Sequence, residues 1–222
     1  MFIDIHSHIF DKPVFGIRVF NLIPDNSDSD VFGLNLTEQI GICYSTGIHP
    51  WYCEGWNAGK IKKLMPVFED KNVILLGEIG LDKLCKVPFR IQYEIFISQL
   101  EIANSLQKPV ILHVVKEMEN VINLKKNYPE IPSWIIHGFR GGHQEAKQYI
   151  SKGFSLSFGC KFSEDGLNSC PEDKLFIETD ESEILIEEIY KMIAKSRSVR
   201  TEDLELQVER NFSFINKTGL TF

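Results

Sequence analysis

Five short apolar runs in this chain each carry, at the right-hand end, residue types capable of binding metal ions. They are FIDIHSH (Phe2 to His8), VILLGEIG (Val73 to Gly80), VILHVV (Val110 to Val115), WIIHGF (Trp134 to Phe139) and LFIETD (Leu175 to Asp180). The terminal residues are His6, His8, Glu78, His113, His137 and Asp180. Runs this long and this rich in Ile and Val predict buried parallel strands. Polar groups at the carboxyl ends of parallel strands are where α/β folds keep their chemistry. Imidazoles mixed with carboxylates, and no cysteine among them, predict a divalent-metal site.

Three further runs, Ile17 to Leu22, Ile42 to Ile48 and Phe154 to Phe158, raise the strand count to eight. With Phe2 to His6, Val73 to Glu78, Val110 to Val114, Ser133 to His137 and Leu175 to Glu178, they predict an α/β fold, the TIM (β/α)8 barrel. At 222 residues the chain is shorter than the ~250 usual for that barrel, so connections must be cut. The segment Ile23 to Leu36, with its IPDNSDSD loop, predicts a compact barrel with a shortened or missing helix between strands two and three. Phe89, Tyr93, Phe96, Ile97, Leu100, Ala103 and Leu106 form a stripe at helical spacing, opened by Pro88. A second helix is expected over Ser182 to Ser196, and Thr201 reads as the N-cap of a third. No linker, repeat or low-complexity tract interrupts the pattern, so 1–222 is expected to be one domain.

Net charge is −7, which disfavours a broad grip on nucleic acid through many cations. It leaves room for a site that holds a single phosphate through metals. The five cysteines form no CxxC pair and are expected to be reduced thiols. Asp4 puts a charge where the apolar stretch of a signal peptide would run, and no run approaches the ~20 residues that span a bilayer. A cytoplasmic monomer with no membrane contact is the expectation.

His6 and His8 lie two apart on a strand, so both rings project to one face, shared with Asp4. Glu78 closes a buried run, where a carboxylate must be paired or metal-bound. Each motif alone has an ordinary structural explanation: a core histidine for His113 or His137, a helix N-cap for Asp180. Their joint occurrence at the same end of strands one, four, five, six and eight favours one metal centre. His49, in GIHPW after strand three, is expected to contact substrate or support a ligand.

The pieces FIDIHSH, GIHP, GEIGLD, PVILH, IIHGF and IETD, in this order and over essentially the whole chain, resemble the TatD family of metal-dependent deoxyribonucleases. That resemblance implies a TIM barrel with one or two divalent ions (Mg, Mn or Zn) held by His6, His8, Glu78, His113, His137 and Asp180. It also implies hydrolysis of DNA at ends or abasic sites. The chain departs from the family pattern near the ligands. Trp51 stands where a second His is usual, and Val115 where an Arg is usual. The sixth-strand motif is HGFRG, which adds Arg140, and Lys83 follows GEIGLD before a short connection. Glu181 replaces the usual Pro.

The mechanism expected from the resemblance has His6, His8, Glu78 and Asp180 on one metal and Glu78, His113 and His137 on a second. Asp180 is the expected general base. Lys83, Lys116 and Arg140 are the cations expected to meet a phosphate of DNA or a small phosphodiester. Two alternatives use the same residues: hydrolysis of an ester, lactone or amide, or a non-catalytic metal-binding barrel. No Lys ends an expected strand, which disfavours the carbamylated-lysine arrangement of amidohydrolases.

Overall fold

A computed structural model describes residues 1–10, 15–24, 36 and 39–215. Eight strands form one sheet in the order β1 to β8 without a skip: β1 (Phe2–Ser7), β2 (Gly16–Leu22), β3 (Ile42–Thr46), β4 (Val73–Asp82), β5 (Val110–Val115), β6 (Trp134–Ile136), β7 (Ser155–Phe158) and β8 (Leu175–Ile177). The pairings β1–β2, β3–β4, β4–β5, β6–β7 and β7–β8 are all parallel. Just past β8, the Asp180 amide donates to the His6 carbonyl at 2.9 Å and its carbonyl accepts from the His8 amide at 3.0 Å. The last strand thereby meets the first, and the topology is the expected (β/α)8 barrel. The expected gap between strands two and three falls on 25–35, outside the described residues.

The helices are α1 (Ala58–Lys63), α2 (Met65–Phe68), α3 (Phe89–Leu106), α4 (Met118–Lys125), α5 (His143–Ser151), α6 (Glu164–Ser169), α7 (Ile186–Arg197) and α8 (Thr201–Ile215). Helix α3 has the bounds its apolar stripe predicts. Helix α7 starts four residues later than its sequence suggests, because Ser182 shapes a turn instead of a cap: its Oγ accepts from the Ile184 amide at 3.1 Å. The short α1, α2, α4 and α6 carry too few turns to show a periodicity in sequence.

Contacts group the chain into two compact units. The first comprises Met1–Phe20, Gln39–Cys43 and Ile135–Phe222. In it, Ile3 and Ile5 on one face of β1 are fully buried, and Asp4 and His6 on the other are buried too. Asp4 pairs with Arg18, its register partner on β2, at 3.1 Å, and takes a hydrogen bond from the Thr179 amide at 2.9 Å. Burial outweighs those contacts and pushes the Asp4 carboxyl up to about 6. Tyr190 of α7 docks on β1, accepting from the Ile3 amide and donating to the Ile3 carbonyl. Asn211 of α8 donates to the carbonyls of Glu172 and Leu175, which fixes that helix at the foot of β8.

The second unit comprises Asn21–Glu38 and Tyr44–Trp134. All ten residues of β4 are buried in it. Two buried glutamines one heptad apart on α3 hold the loops at the strand ends. Gln99 accepts from the Ile48 amide at 2.6 Å and donates to the Ile48 carbonyl at 3.1 Å. Gln92 accepts from the Asp82 amide at 2.8 Å and donates to the carbonyls of Asp82 and Val87. A side-chain amide carries one acceptor and two donors, so each glutamine satisfies both the amide and the carbonyl of one residue.

Candidate metal centre

In the first unit, His6, His8 and Asp180 bring one ligand atom each to within 4.8 Å of one another, and so do His137, Glu178 and Asp180. The Asp180 Oδ1 atom lies 3.9 Å from His6 Nε2 and 3.8 Å from His8 Nε2. Local backbone geometry sets this placement. Asp180 adopts the left-handed region (φ 55°), which Asp tolerates better than most residues, and bridges to Ser7 between the two histidines. Its carboxylate is thereby turned toward both rings.

Glu178 is fully buried at the end of β8. Its Oε1 accepts from the Gly138 amide at 2.6 Å and lies 3.6 Å from His137 Nδ1. Burial raises the Glu178 carboxyl, but the hydrogen bond and charge of His137, with the charge of His6, hold it below the usual carboxylate range overall. Its Oε2 is buried and has no hydrogen-bond partner among the described residues. A buried anionic oxygen without a donor is costly unless a cation meets it.

In the second unit, His49, Glu78 and His113 form a further group within 4.8 Å. Glu78 Oε1 lies 3.1 Å from His49 Nε2 and 2.9 Å from His113 Nδ1. The other His113 nitrogen, Nε2, lies 3.2 Å from Asp82 Oδ2. Asp82 also takes the Trp51 indole N–H at 2.6 Å and the Leu84 amide at 2.8 Å. Burial raises the Asp82 carboxyl, and these donors more than offset it, so it too is held low. Behind Glu78, the side chain of Asn21 accepts from the Glu78 amide at 3.1 Å and from Ser45 Oγ at 3.0 Å.

These donor sets suit a divalent cation. Two ligand atoms on one ion, each at a bond length of about 2.1 Å, stand at most ~4.2 Å apart. The pairs described above, 2.9 to 3.9 Å apart, lie inside that limit. The donors are nitrogen and carboxylate oxygen with no thiolate, which fits Zn, Mn or a harder ion.

Each of the six expected ligands falls in one of these groups, and His49 joins them as a neighbour of Glu78 rather than at a distance. Arg140 lines a cavity of about 440 Å³ with Glu178 and Asp180. Lys83 Nζ leans toward Glu117 at 3.8 Å, and Lys116 is exposed just past β5 with φ 56°. Glu178 and Asp82 were not singled out by sequence. Both share strand parity with a residue that was, Asp180 and Glu78 respectively. Gly77 and Gly80 disguised the continuation of β4. Gly80 (φ 151°) is required there, because a Cβ would stand 1.9 Å from the His113 carbonyl oxygen.

Comparison with known proteins bears on the fold and the family. A family model described as TatD related DNase matches residues 29–215. A protein of Rahnella sp. named 3'-5' ssDNA/RNA exonuclease TatD is 34% identical over 154 residues, 64% of this chain and 59% of the relative. The Bacillus subtilis metal-dependent hydrolase YabD is 29% identical, over 66% of this chain and 62% of its own. The chain thus matches about 60% of the length of these curated relatives. The crystal structure of YjjV, a TatD homolog from Escherichia coli, superposes with a TM-score of 0.81 at 21% identity, covering 96% of this chain and 97% of the other. That of a TatD family hydrolase from Entamoeba histolytica gives 0.73 at 16% identity with the same coverage. The fold is shared over 96% of the chain, and the strand-end motifs from GIHP onward fall within the matched residues: this protein belongs to the TatD related DNase family.

Proposed function

We propose that this chain, acting as a one-domain monomer, is a divalent-metal-dependent phosphodiesterase that removes nucleotides from single-stranded nucleic acid ends. The observation that carries the reading is the pair of donor groups, His6–His8–Asp180 and His49–Glu78–His113, each built from imidazole and carboxylate at strand ends. The names of the relatives, exonuclease and metal-dependent hydrolase, support the same chemistry.

The proposed ligands are His6, His8, Glu78, His113, His137 and Asp180, with Glu178 added by its unsatisfied oxygen. When bound, a divalent ion on these residues would supply an acidified water and offset charge on the phosphoryl oxygens. The protein groups do the rest. Asp180, the more exposed carboxylate at 28%, accepts the proton of the water as general base. Arg140, which shares a cavity with Asp180, contacts a non-bridging phosphate oxygen. Asp82 and Asn21 keep His113 and Glu78 in place.

The test combines metal analysis with turnover. Protein purified without chelator is expected to carry one or two equivalents of divalent metal and to shorten end-labelled single-stranded DNA. EDTA should abolish cleavage, and Glu78→Gln should lower kcat by at least ~100-fold with the fold intact by circular dichroism. Metal-loaded protein that hydrolyses no phosphodiester, but opens lactones or esters, would refute the proposal in favour of the other hydrolase reading.

A further inference from the structure

Trp51 is the only one of the three tryptophans that is exposed, at 52%, against 7% for Trp56 and 1% for Trp134. An exposed indole is ordinarily free to turn, but this one is fixed at both ends. Pro50 and the His49 N-cap hold its backbone, whose amide donates to His49 Nδ1 at 3.1 Å. Its indole N–H donates to the buried Asp82 at 2.6 Å. Its ring meets the edges of His49 and His113, at centroid distances of 4.9 and 5.7 Å. The open side faces a cavity of about 510 Å³ lined by Leu84, Val87, Val115, Lys86 and His113. Leu84 is 66% exposed, so apolar surface lies beside the indole without cover.

We propose that Trp51 is a stacking platform for the terminal base of a single-stranded nucleic acid, held against the side of the metal centre that carries His113; this rests on the phosphodiesterase reading above. A base needs a flat apolar face, and every base has one to offer, so stacking tolerates sequence. A pre-oriented indole loses little side-chain freedom when a base covers it, which strengthens the contact. Lys86, at the rim of the same cavity, supplies a cation for the following phosphate. Asp82 serves both parts: one oxygen faces His113 Nε2 and the indole N–H together, so the platform and the candidate ligand share an anchor. The platform therefore selects substrates that bear a base at the cleaved end over base-free phosphodiesters.

The experiment reads affinity by the anisotropy of dye-labelled oligomers in every variant, and stacking by the tryptophan emission of wild type, whose one exposed indole is Trp51. In EDTA, where no cleavage occurs, short oligothymidylates are titrated against oligomers whose terminal residue is an abasic tetrahydrofuran. The normal ends are expected to quench emission saturably and to bind about 5- to 150-fold tighter than the abasic ends. Trp51→Leu should erase that preference, and Trp51→Phe should retain most of it, because phenyl still stacks. The preference is a ratio of two affinities within one protein, so a general loosening of His113, which weakens normal and abasic ends alike, leaves it in place, whereas loss of stacking removes it. Equal affinity of wild type for normal and abasic ends overturns the platform, as does a preference that survives in Trp51→Leu. Base-dependent quenching without turnover on any phosphodiester supports the platform and refutes the hydrolase reading. Turnover without base preference does the reverse.

Discussion

Replacing Gln99 by leucine tests how the strand-end loop before His49 is held. The Gln99 side chain is fully buried and makes two hydrogen bonds to one residue 51 positions away, accepting from the Ile48 amide and donating to its carbonyl. Leucine keeps the helix propensity of α3 and the approximate volume, so neither helix nor cavity effects dominate. What changes is that two backbone groups in a buried loop lose their partners. Each orphaned group costs about 1–3 kcal/mol. Burying leucine in place of an amide returns roughly 1–2 kcal/mol. At mid-range the net loss is about 2.5 kcal/mol, a fall in Tm of ~5–10 °C for a chain of this size. Urea unfolding followed by far-ultraviolet circular dichroism measures it directly. The same variant should weaken metal retention, because Ile48 leads into His49, whose Nε2 lies 3.1 Å from Glu78. A Gln99→Leu protein within ~0.5 kcal/mol of wild type would show that water or a loop shift satisfies Ile48, and the clamp argument would fail.

Other outcomes follow from the same physics. Gly80→Ala places a Cβ 1.9 Å from the His113 carbonyl at φ 151°, so it should destabilise by more than ~3 kcal/mol or fail to accumulate as soluble protein. Burial pushes the thiols of Cys43, Cys53 and Cys170 up to about 12, leaving roughly one thiolate in 10⁴ at pH 8. Ellman's reagent should therefore count at most two fast thiols, Cys85 and Cys160, in native protein and all five in denaturant. Lys108 donates to the carbonyls of Phe68, Asp70 and Val73, and burial pushes its ammonium down to about 8. Between that value and the ordinary 10.5 the unfolded chain binds the extra proton, so stability should rise with pH across the window. Relative to Lys108→Met, the gain from pH 7.5 to 10.5 should reach at most ~2 kcal/mol, after allowing for the solvent that reaches this side chain. A flat difference between the two proteins would disprove the shift.

Much of the candidate site was legible in the sequence because its imidazoles and carboxylates sit on strands or just past their ends, where a period of two and a run of Ile and Val fix both the element and the facing of each side chain. His6 on β1, His8 just past its end, and Glu78 on β4 needed nothing else. Glu178 was hidden for the opposite reason. In IETD it looks like one more strand-end carboxylate, and only the Gly138 amide and the His137 ring around it reveal a buried anion held low. Asp82 lay beyond two glycines that mimic a strand end.

The sequence alone determined the eight-strand α/β barrel, the strand ends at which imidazoles and carboxylates stand, and the donor types a divalent ion would need. Those are local properties: strand period, apolar run length and the residue at the end of each run. Tertiary structure alone decided the partners. Gln99 on Ile48, Gln92 on Asp82 and Trp51 on Asp82 join positions 51, 10 and 31 residues apart. A glutamine on a helix or a tryptophan after His-Pro carries no pattern that names its hydrogen-bond partner. That partner is fixed only when folding buries a backbone or carboxylate group that must be satisfied, and places the side chain within reach.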